Sequence, residues 1–155
     1  MTEKFRSSEG YQLVQKWMSE KGMAAFSFQN EAWQRFSNGY SGMVVAPTGF
    51  GKTYSIFLAV IIDFINQPQH YHQGLKLLWV TPLRSLAKDL SRAMQQAIDE
   101  IGLDWTVEVR NGDTDIKQKA RQTKSMPDIL LVTPESLHLL LAQKDHHRFF
   151  KHLHA

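Results

Sequence analysis

Apolar residues recur along this chain with two different spacings, and the change from one spacing to the other outlines the fold. Four short apolar runs predict β-strands, at 42–45, 75–80, 105–109 and 129–132. The helical spacing that follows each run predicts helices, from Lys52 onward, at 83–101, at 114–121 and after Pro134. Two further helices are predicted at 8–22 and 29–38. This alternation indicates an α/β fold with a mainly parallel sheet and helices on both faces.

The stretch at 46–53, Ala-Pro-Thr-Gly-Phe-Gly-Lys-Thr, lies between the first predicted strand and a helix. Gly49 and Gly51 allow backbone conformations that point successive N–H groups at one set of phosphate oxygens, and the helix N-terminus adds unpaired donors. Lys52 is placed to reach the β- and γ-phosphates, and Thr53 to give its hydroxyl to Mg²⁺. The spacing therefore predicts a phosphate-binding loop, although an alanine stands where the pattern usually begins with glycine.

Composition narrows the class of protein without identifying its ligand. The 155 residues, 43% of them hydrophobic, are enough for one domain with a buried core. The net charge of +3 permits an anionic partner but does not require one, and the lack of cysteine excludes disulfides and thiolate metal sites. No apolar run approaches the roughly 20 residues of a membrane span, and the polar N-terminus is unlike a signal peptide. We therefore expect a cytoplasmic protein with no membrane partner.

A loop that hydrolyses ATP also needs a carboxylate after a neighbouring strand to hold Mg²⁺. Asp63 ends an apolar run, but that run lies on the helix that begins at Lys52, so its carboxylate cannot return to the loop. Glu135 opens a helix, where an acid complements the helix dipole; a metal-binding role for it stays open but is disfavoured. Five histidines lack zinc-site spacing and are interpreted as solvated helix residues: His138, His146, His147, His152 and His154.

Five motifs in this order resemble those of superfamily 2 DNA/RNA helicases, and most closely the ligase-associated DEXH-box helicases of the Lhr type. They are the Q-motif region at 28–34, motif I at 46–53, motif Ia at 81–87, the GD element at 111–114 and motif Ib at 133–137. The resemblance covers nearly the whole chain. It implies a RecA-like P-loop NTPase domain over 1–155, truncated before the DEXH strand, whose helical lead-in at 1–40 includes the Q-motif-like element.

By position, the resemblance assigns the adenine edge of ATP to Gln29, although this glutamine by itself is more simply a surface residue. The other expected cofactor-binding residues lie in or beside the loop: Thr48, Gly49, Phe50, Gly51, Lys52, Thr53 and Tyr54. Lys52 and Thr53 are the expected catalytic residues, and Thr53 is expected to hold Mg²⁺ through the bound nucleotide. The implied cofactors are therefore ATP and Mg²⁺.

The remaining three motifs are expected to contact the sugar-phosphate backbone of one strand without reading its sequence. The residues carried over are Pro82, Leu83, Arg84, Gly112, Asp113, Thr114, Thr133, Pro134 and Glu135. For Arg84 and Thr133 a helix-opening surface role stays open. The implied partner is single-stranded or partly duplex DNA, with RNA left open. The family resemblance also implies a DNA ligase or repair proteins as protein partners.

The DEXH acids, motif III and the second RecA-like domain are absent from these 155 residues. We therefore expect ATP-driven unwinding by family, but no activity from this chain alone. A non-catalytic fragment that binds nucleotide or single strands, or a subunit whose partner carries the missing motifs, is the alternative. An unrelated phosphate-loop kinase is disfavoured by the Thr-Pro pairs that follow two of the predicted strands.

Overall fold

The computed structural model describes residues 1–155, which divide into two compact units, Met1–His70 and Tyr71–Ala155. The first unit contains only helices, and the second contains the whole β-sheet. None of the helices is long and apolar enough to cross a bilayer. The predicted α/β class is confirmed, but the sheet has three strands rather than four.

The first unit is built around one apolar helix. Its elements are α1 (Glu3–Arg6), α2 (Glu9–Glu20), α3 (Ser27–Ser37), α4 (Lys52–Asn66) and a short 3-10 helix (Pro68–His70). Helix α4 buries Phe57, Leu58 and residues 60–62, and it contacts both α2 and α3. Gly10 of α2 lies so close to α4 that a Cβ atom there would be 2.4 Å from the Ile62 carbonyl oxygen. This close approach explains why the position is a glycine.

The strand predicted at 42–45 is wrong. Residues 40–47 form no regular structure, and the side chains of Met43 and Val45 are 86% and 78% exposed. A strand needs a neighbouring strand to pair its backbone N–H and C=O groups, and the first unit contains no other strand. The apolar sequence is therefore not sufficient, and irregular chain leads into the phosphate loop.

The second unit is a parallel sheet flanked by helices. Its elements are β1 (Leu77–Val80), α5 (Arg84–Ile101), β2 (Val107–Arg110), α6 (Ile116–Lys124), β3 (Ile129–Val132), α7 (Pro134–Leu141) and α8 (His146–Phe150). The strand order is β1-β3-β2, and both outer strands pair in parallel with β3. Leu130 and Val132 pack against α7 and α8, whereas α5 contacts β2 and β3. Because alternate strand residues face opposite ways, helices cover both faces, as predicted.

The strands differ in how far the predicted burial holds. Strand β3 has the predicted bounds, and all four of its residues are buried. In β1 Leu77 is buried but Val80 is 46% exposed, so the expected cover on both faces is wrong at this end. Strand β2 begins two residues later than predicted, because the backbone N–H of Thr106 donates to the Asp128 carboxylate at 2.8 Å and so lies outside the strand ladder.

The ends of the helices have local causes. Helix α5 ends where predicted, at Gly102, whose φ of 87° is in the left-handed region that favours glycine. Helix α6 begins at Ile116 rather than Thr114, because the Asp115 carboxylate accepts a hydrogen bond from the Gln118 N–H at 2.8 Å and caps the helix.

The five histidines divide into two groups. Three lie exposed in α7 and α8, as predicted: His138, His146 and His147. His152 and His154 follow α8 instead, so the helical interpretation is wrong for them. The ring centroids of His154 and Tyr71 are 4.1 Å apart, so His154 packs on an aromatic side chain.

Candidate functional site

The phosphate loop precedes α4 and takes its shape from two glycines. Gly49 and Gly51 have φ values of 85° and 73°, in the left-handed region where other residues are strained. Gly51 is also short of space, because a Cβ atom there would lie 2.8 Å from Nε2 of Gln29. Both glycines are therefore required by the geometry of the loop.

The Lys52 ammonium is held within the loop by backbone carbonyls. Its Nζ donates to the carbonyl oxygens of Ala46 and Pro47, each at 2.7 Å. A lysine ammonium has three N–H donors, so one remains for another acceptor. The contact fixes the cation beside the glycine turn at the N-terminus of α4, where the unpaired helix N–H groups favour an anion.

Gln29 connects the Q-motif region to the loop. Its side chain is 2% exposed, so its interpretation as a surface residue is wrong. Its Nε2 donates to the Gly51 carbonyl at 3.0 Å, and its Oε1 accepts from the Phe26 N–H at 2.9 Å. The amide keeps one further N–H and one further lone pair. Its assignment to adenine stays a prediction.

Three aromatic residues lie beside this glutamine: Phe50, which is one of the expected cofactor-binding residues, and Phe26 and Phe28, which sequence reasoning missed. The rings of Phe26 and Phe28 are stacked, with centroids 5.7 Å apart, and the Phe50 ring centroid is 5.5 Å from that of Phe26. Phe26 and Phe50 are both 45% exposed. The two phenylalanines just before the glutamine are the sequence signal that could have found Phe26 and Phe28.

The other predicted cofactor residues of this unit lie in different settings. Thr48 is exposed in the loop, and Thr53 is half-buried in the first turn of α4. Tyr54 packs inside the unit: its ring is edge-on to Trp17 at 5.8 Å, and its carbonyl accepts from the Trp33 indole N–H at 3.2 Å. The contacts of Tyr54 are therefore with helices α2 and α3 rather than with the loop.

In the second unit, the three strand-end motifs meet at one edge of the sheet. Because Val80 and Arg110 both pair in parallel with Val132, the residues that follow β1, β2 and β3 leave the sheet at the same level. Ligands of open parallel sheets bind at this carboxyl edge. The fold therefore brings together the elements at 82–84, 112–114 and 133–135.

The Arg84 guanidinium lies among these elements. Its Nη1 is 2.8 Å from Oδ1 of Asp113, and both side chains are mostly exposed, at 57% and 70%. A Cβ atom on Gly112 would lie 2.6 Å from Nη2 of Arg84, so the guanidinium rests against the glycine backbone. Arg84 also helps to hold down the pKa of Glu135, which places its charge near motif Ib.

The GD element is fixed by its own side chains. Asn111, which is buried, accepts a hydrogen bond from the Asp113 N–H at 2.9 Å. The Thr114 hydroxyl accepts from the Asn111 N–H at 3.0 Å. Nζ of Lys119, on α6, is 3.5 Å from the Gly112 carbonyl. Sequence reasoning missed Asn111 and Lys119 as site residues; an asparagine before glycine is the available signal for the first, and none exists for the second.

Motif Ib and the start of motif Ia complete this edge. Pro82 and Leu83 are exposed, whereas Thr133 is buried, with its hydroxyl oxygen 3.2 Å from that of Ser136. Pro134 stands at the first position of α7, where its missing N–H costs no helical bond. The edge thus offers mixed apolar and polar groups around the exposed Arg84.

Three neighbouring groups lower the pKa of Glu135 by different amounts. Its own backbone N–H lowers this pKa most, followed by the Thr133 hydroxyl and then by the Arg84 charge. We expect Thr133→Val to raise the pKa of Glu135, and Arg84→Ala to raise it less. Carboxyl chemical shifts followed by NMR over an acid titration measure both. A larger rise in Arg84→Ala would contradict this order.

The sign of the effect on folding follows from the direction of this shift. A carboxyl group whose pKa is lower in the folded protein stabilises the fold above its unfolded pKa, and this contribution is lost as the pH falls through the folded pKa. The contribution of the Glu135 contacts is therefore present at neutral pH and is lost in acid, below the ordinary range of glutamate.

Residues 26–155 match the family model described as DEAD/DEAH box helicase. The Lhr helicase/probable uracil glycosylase of Mycolicibacterium smegmatis is 36% identical over 139 residues, which cover 83% of this chain and 9% of that protein. The ATP-dependent helicase Lhr-Core of Methanocaldococcus jannaschii is 31% identical over 157 residues, which cover 91% of this chain and 19% of that protein. The chain therefore spans less than a fifth of the length of either relative.

Two solved structures share the fold. The Mycobacterium smegmatis helicase Lhr bound to ssDNA and AMP-PNP has a TM-score of 0.78 at 33% identity, covering 91% of this chain and 19% of that one. The DUF1998 helicase MrfA bound to DNA and AMPPNP has a TM-score of 0.78 at 26% identity, and the match covers 99% of this chain and 20% of that one. The expected likeness to RecA-like helicase domains is confirmed.

Proposed function

Because this chain belongs to the DEAD/DEAH box helicase family, we propose that its first unit binds ATP with Mg²⁺ and that its second unit binds the backbone of a single DNA strand. The resemblance to Lhr-type helicases is supported by two relatives of that type, which match most of the length of this chain. The observation that carries the proposal is the loop itself, in which two left-handed glycines and the Lys52 ammonium stand at a helix N-terminus.

The loop fits a nucleotide phosphate. A phosphate oxygen could accept the third N–H of the Lys52 ammonium, which the Ala46 and Pro47 carbonyls leave available. Thr53, in the first turn of α4, would give its hydroxyl to the Mg²⁺ that accompanies the phosphates. When bound, Mg²⁺ supplies charge neutralisation between the phosphate oxygens.

The aromatic cluster supports a place for the base. Phe26 and Phe50 expose nearly half of their surface next to Gln29, whose amide retains one donor and one acceptor. A purine could stack on an exposed ring face and hydrogen-bond to this amide, which offers the donor and acceptor pair that an adenine edge matches. The cluster thus supports ATP as the ligand.

The carboxyl edge of the second unit supports strand binding. Arg84 supplies the positive charge for phosphates, and the short polar side chain of Thr114 stands on the neighbouring GD element. Such contacts position a strand without reading bases. DNA is favoured because the Lhr and MrfA structures that share this fold hold DNA. Ligase or repair partners and a cytoplasmic location stay predictions.

Unwinding is proposed for the longer helicases to which this chain is related, rather than for these residues by themselves. Glu135, the acid that follows β3, lies in the first turn of α7, where a carboxylate complements the helix dipole, so we infer no metal-binding role for it. We expect stimulated ATP turnover below about 1 per second in a coupled ATPase assay. Faster turnover in a preparation free of other ATPases would contradict this.

Strand binding is tested by its salt dependence. If about two or three phosphates are neutralised, the slope of log affinity against log salt is roughly −1.5 to −2, at about 0.7 per phosphate on single strands. Fluorescence anisotropy on labelled oligonucleotides over a salt series measures it. A preference of more than about tenfold between unstructured sequences would mean that side chains read bases, contrary to the proposal.

A further inference from the structure

Gly112 has a steric role rather than a conformational one. Its φ is not in the left-handed region, so residues with side chains could adopt the same backbone. A side chain at this position would have to push Arg84 aside: a Cβ atom on Gly112 would lie 2.6 Å from Nη2 and 2.9 Å from Cζ of the guanidinium. The glycine therefore makes room for Arg84 on the GD element.

Asp113, the next residue, forms an ion pair with Arg84. The 2.8 Å contact between Asp113 Oδ1 and Arg84 Nη1 joins residues 29 positions apart in the sequence. The Asp113 N–H is itself held by the Asn111 side chain, which fixes the backbone of this residue. Both partners of the ion pair are mostly exposed, and exposed ion pairs contribute little to folding. Stability of the fold therefore does not account for the pair.

A carboxylate and a phosphodiester compete for the same donors of a guanidinium. Arg84 is the cation that joins motif Ia to the GD element, and the Asp113 carboxylate already accepts from its Nη1. We propose that Asp113 is a built-in counter-anion, which a strand phosphate must displace from Arg84 and which thereby limits how tightly the strand is held. This inference rests on the proposed strand binding and reassigns Asp113 from a strand contact to a competitor of the strand.

The test is a double-mutant cycle in strand binding. Labelled oligo(dT) is titrated by fluorescence anisotropy over a salt series against the wild type, Asp113→Asn, Arg84→Ala and the double variant. We expect Asp113→Asn to tighten binding about two- to fivefold, the range of an exposed ion pair. The salt slope should change by less than about 0.7, the contribution of one phosphate, because Arg84 contacts the same phosphate in both proteins. Arg84→Ala should weaken binding, and in that background Asp113→Asn should change affinity less than about 1.5-fold.

A matched control and a second route to the same arginine accompany the cycle. Asp104→Asn removes an equal charge from an exposed residue that precedes β2, at the opposite end of the strand from Asp113, and should leave affinity within about 1.5-fold. Gly112→Ala should shift the guanidinium without removing its charge, so it should weaken binding less than Arg84→Ala does. Circular dichroism checks that each variant is folded.

The outcomes separate the two proposals. If neither the wild type nor Asp113→Asn binds the oligonucleotide, strand binding by this unit fails, and the role of Asp113 fails with it. If the wild type binds but Asp113→Asn weakens binding, Asp113 contacts the strand and the competition is overturned. Equal tightening by Asp113→Asn with and without Arg84 would also overturn it, because the aspartate would then act as a general negative charge.

Discussion

Replacing Lys52 with alanine is expected to weaken ATP-analogue binding by about 1.5–3 kcal/mol, or about 10- to 150-fold, the cost of a lost charge-assisted hydrogen bond. The ammonium stands in the loop beside the left-handed Gly51, held by two carbonyls at 2.7 Å. Alanine removes the only side chain of the loop that brings a positive charge to the phosphates. Titration calorimetry with AMP-PNP and Mg²⁺ measures the change.

Lys16→Ala is the matched control for Lys52. Lys16 is also a lysine of the first unit, but its side chain is 73% exposed on α2, where it forms only a loose pair with Glu20 at 3.9 Å. The control should bind the analogue as the wild type does, because exposed charges far from a ligand are screened by salt. Equal affinity for Lys52→Ala and the wild type would mean that the loop is not the phosphate site.

Asp128→Ala is expected to have the largest effect on folding, about 3–5 kcal/mol, because it leaves a buried cation without its partner. The Asp128 carboxylate pairs with Lys76, whose side chain is 9% exposed and whose Nζ also lies 5.3 Å from the Trp105 ring centroid. The same carboxylate accepts from the backbone N–H and the hydroxyl of Thr106. One side chain therefore joins the starts of all three strands.

Urea unfolding measures the free energy of unfolding of the wild type, of Asp128→Ala and of a control variant, Glu31→Ala. Glu31→Ala removes an acid from an exposed pair with Arg35, at 2.8 Å on one face of α3, and should cost only about 0.3–0.5 kcal/mol. A loss below about 1 kcal/mol in Asp128→Ala would show that the lysine finds another partner or water.

The sequence predicts elements whose cause is local. Strand β3 was predicted with its correct bounds because residues 129–132 are apolar on both faces and are followed by Thr-Pro, which opens the next helix. The segment 42–45 has the same kind of apolar pattern but no strand. A hydrophobic pattern records what a segment can bury; it does not record whether a partner strand is available to accept its backbone hydrogen bonds.

In the candidate sites too, features with a local cause were predictable, and features that depend on distant residues were not. The turn at Gly49 and Gly51 was predictable because the left-handed conformation is a property of glycine at its own position. The burial of Gln29 was not, because it depends on how α3 packs on the loop. The pairing of Arg84 with Asp113 joins residues from two different strand ends, and no pattern of spacing marks it.

The central claim, a nucleotide site in the first unit and a strand site in the second, is tested most directly by amide NMR titrations of the labelled chain. We expect AMP-PNP with Mg²⁺ to shift the amide signals of Gln29 and of the non-proline residues of 46–54, and oligo(dT) to shift those of the non-proline residues of 82–84, 112–114 and 133–135. Shifts from either ligand that are confined to other residues would contradict it.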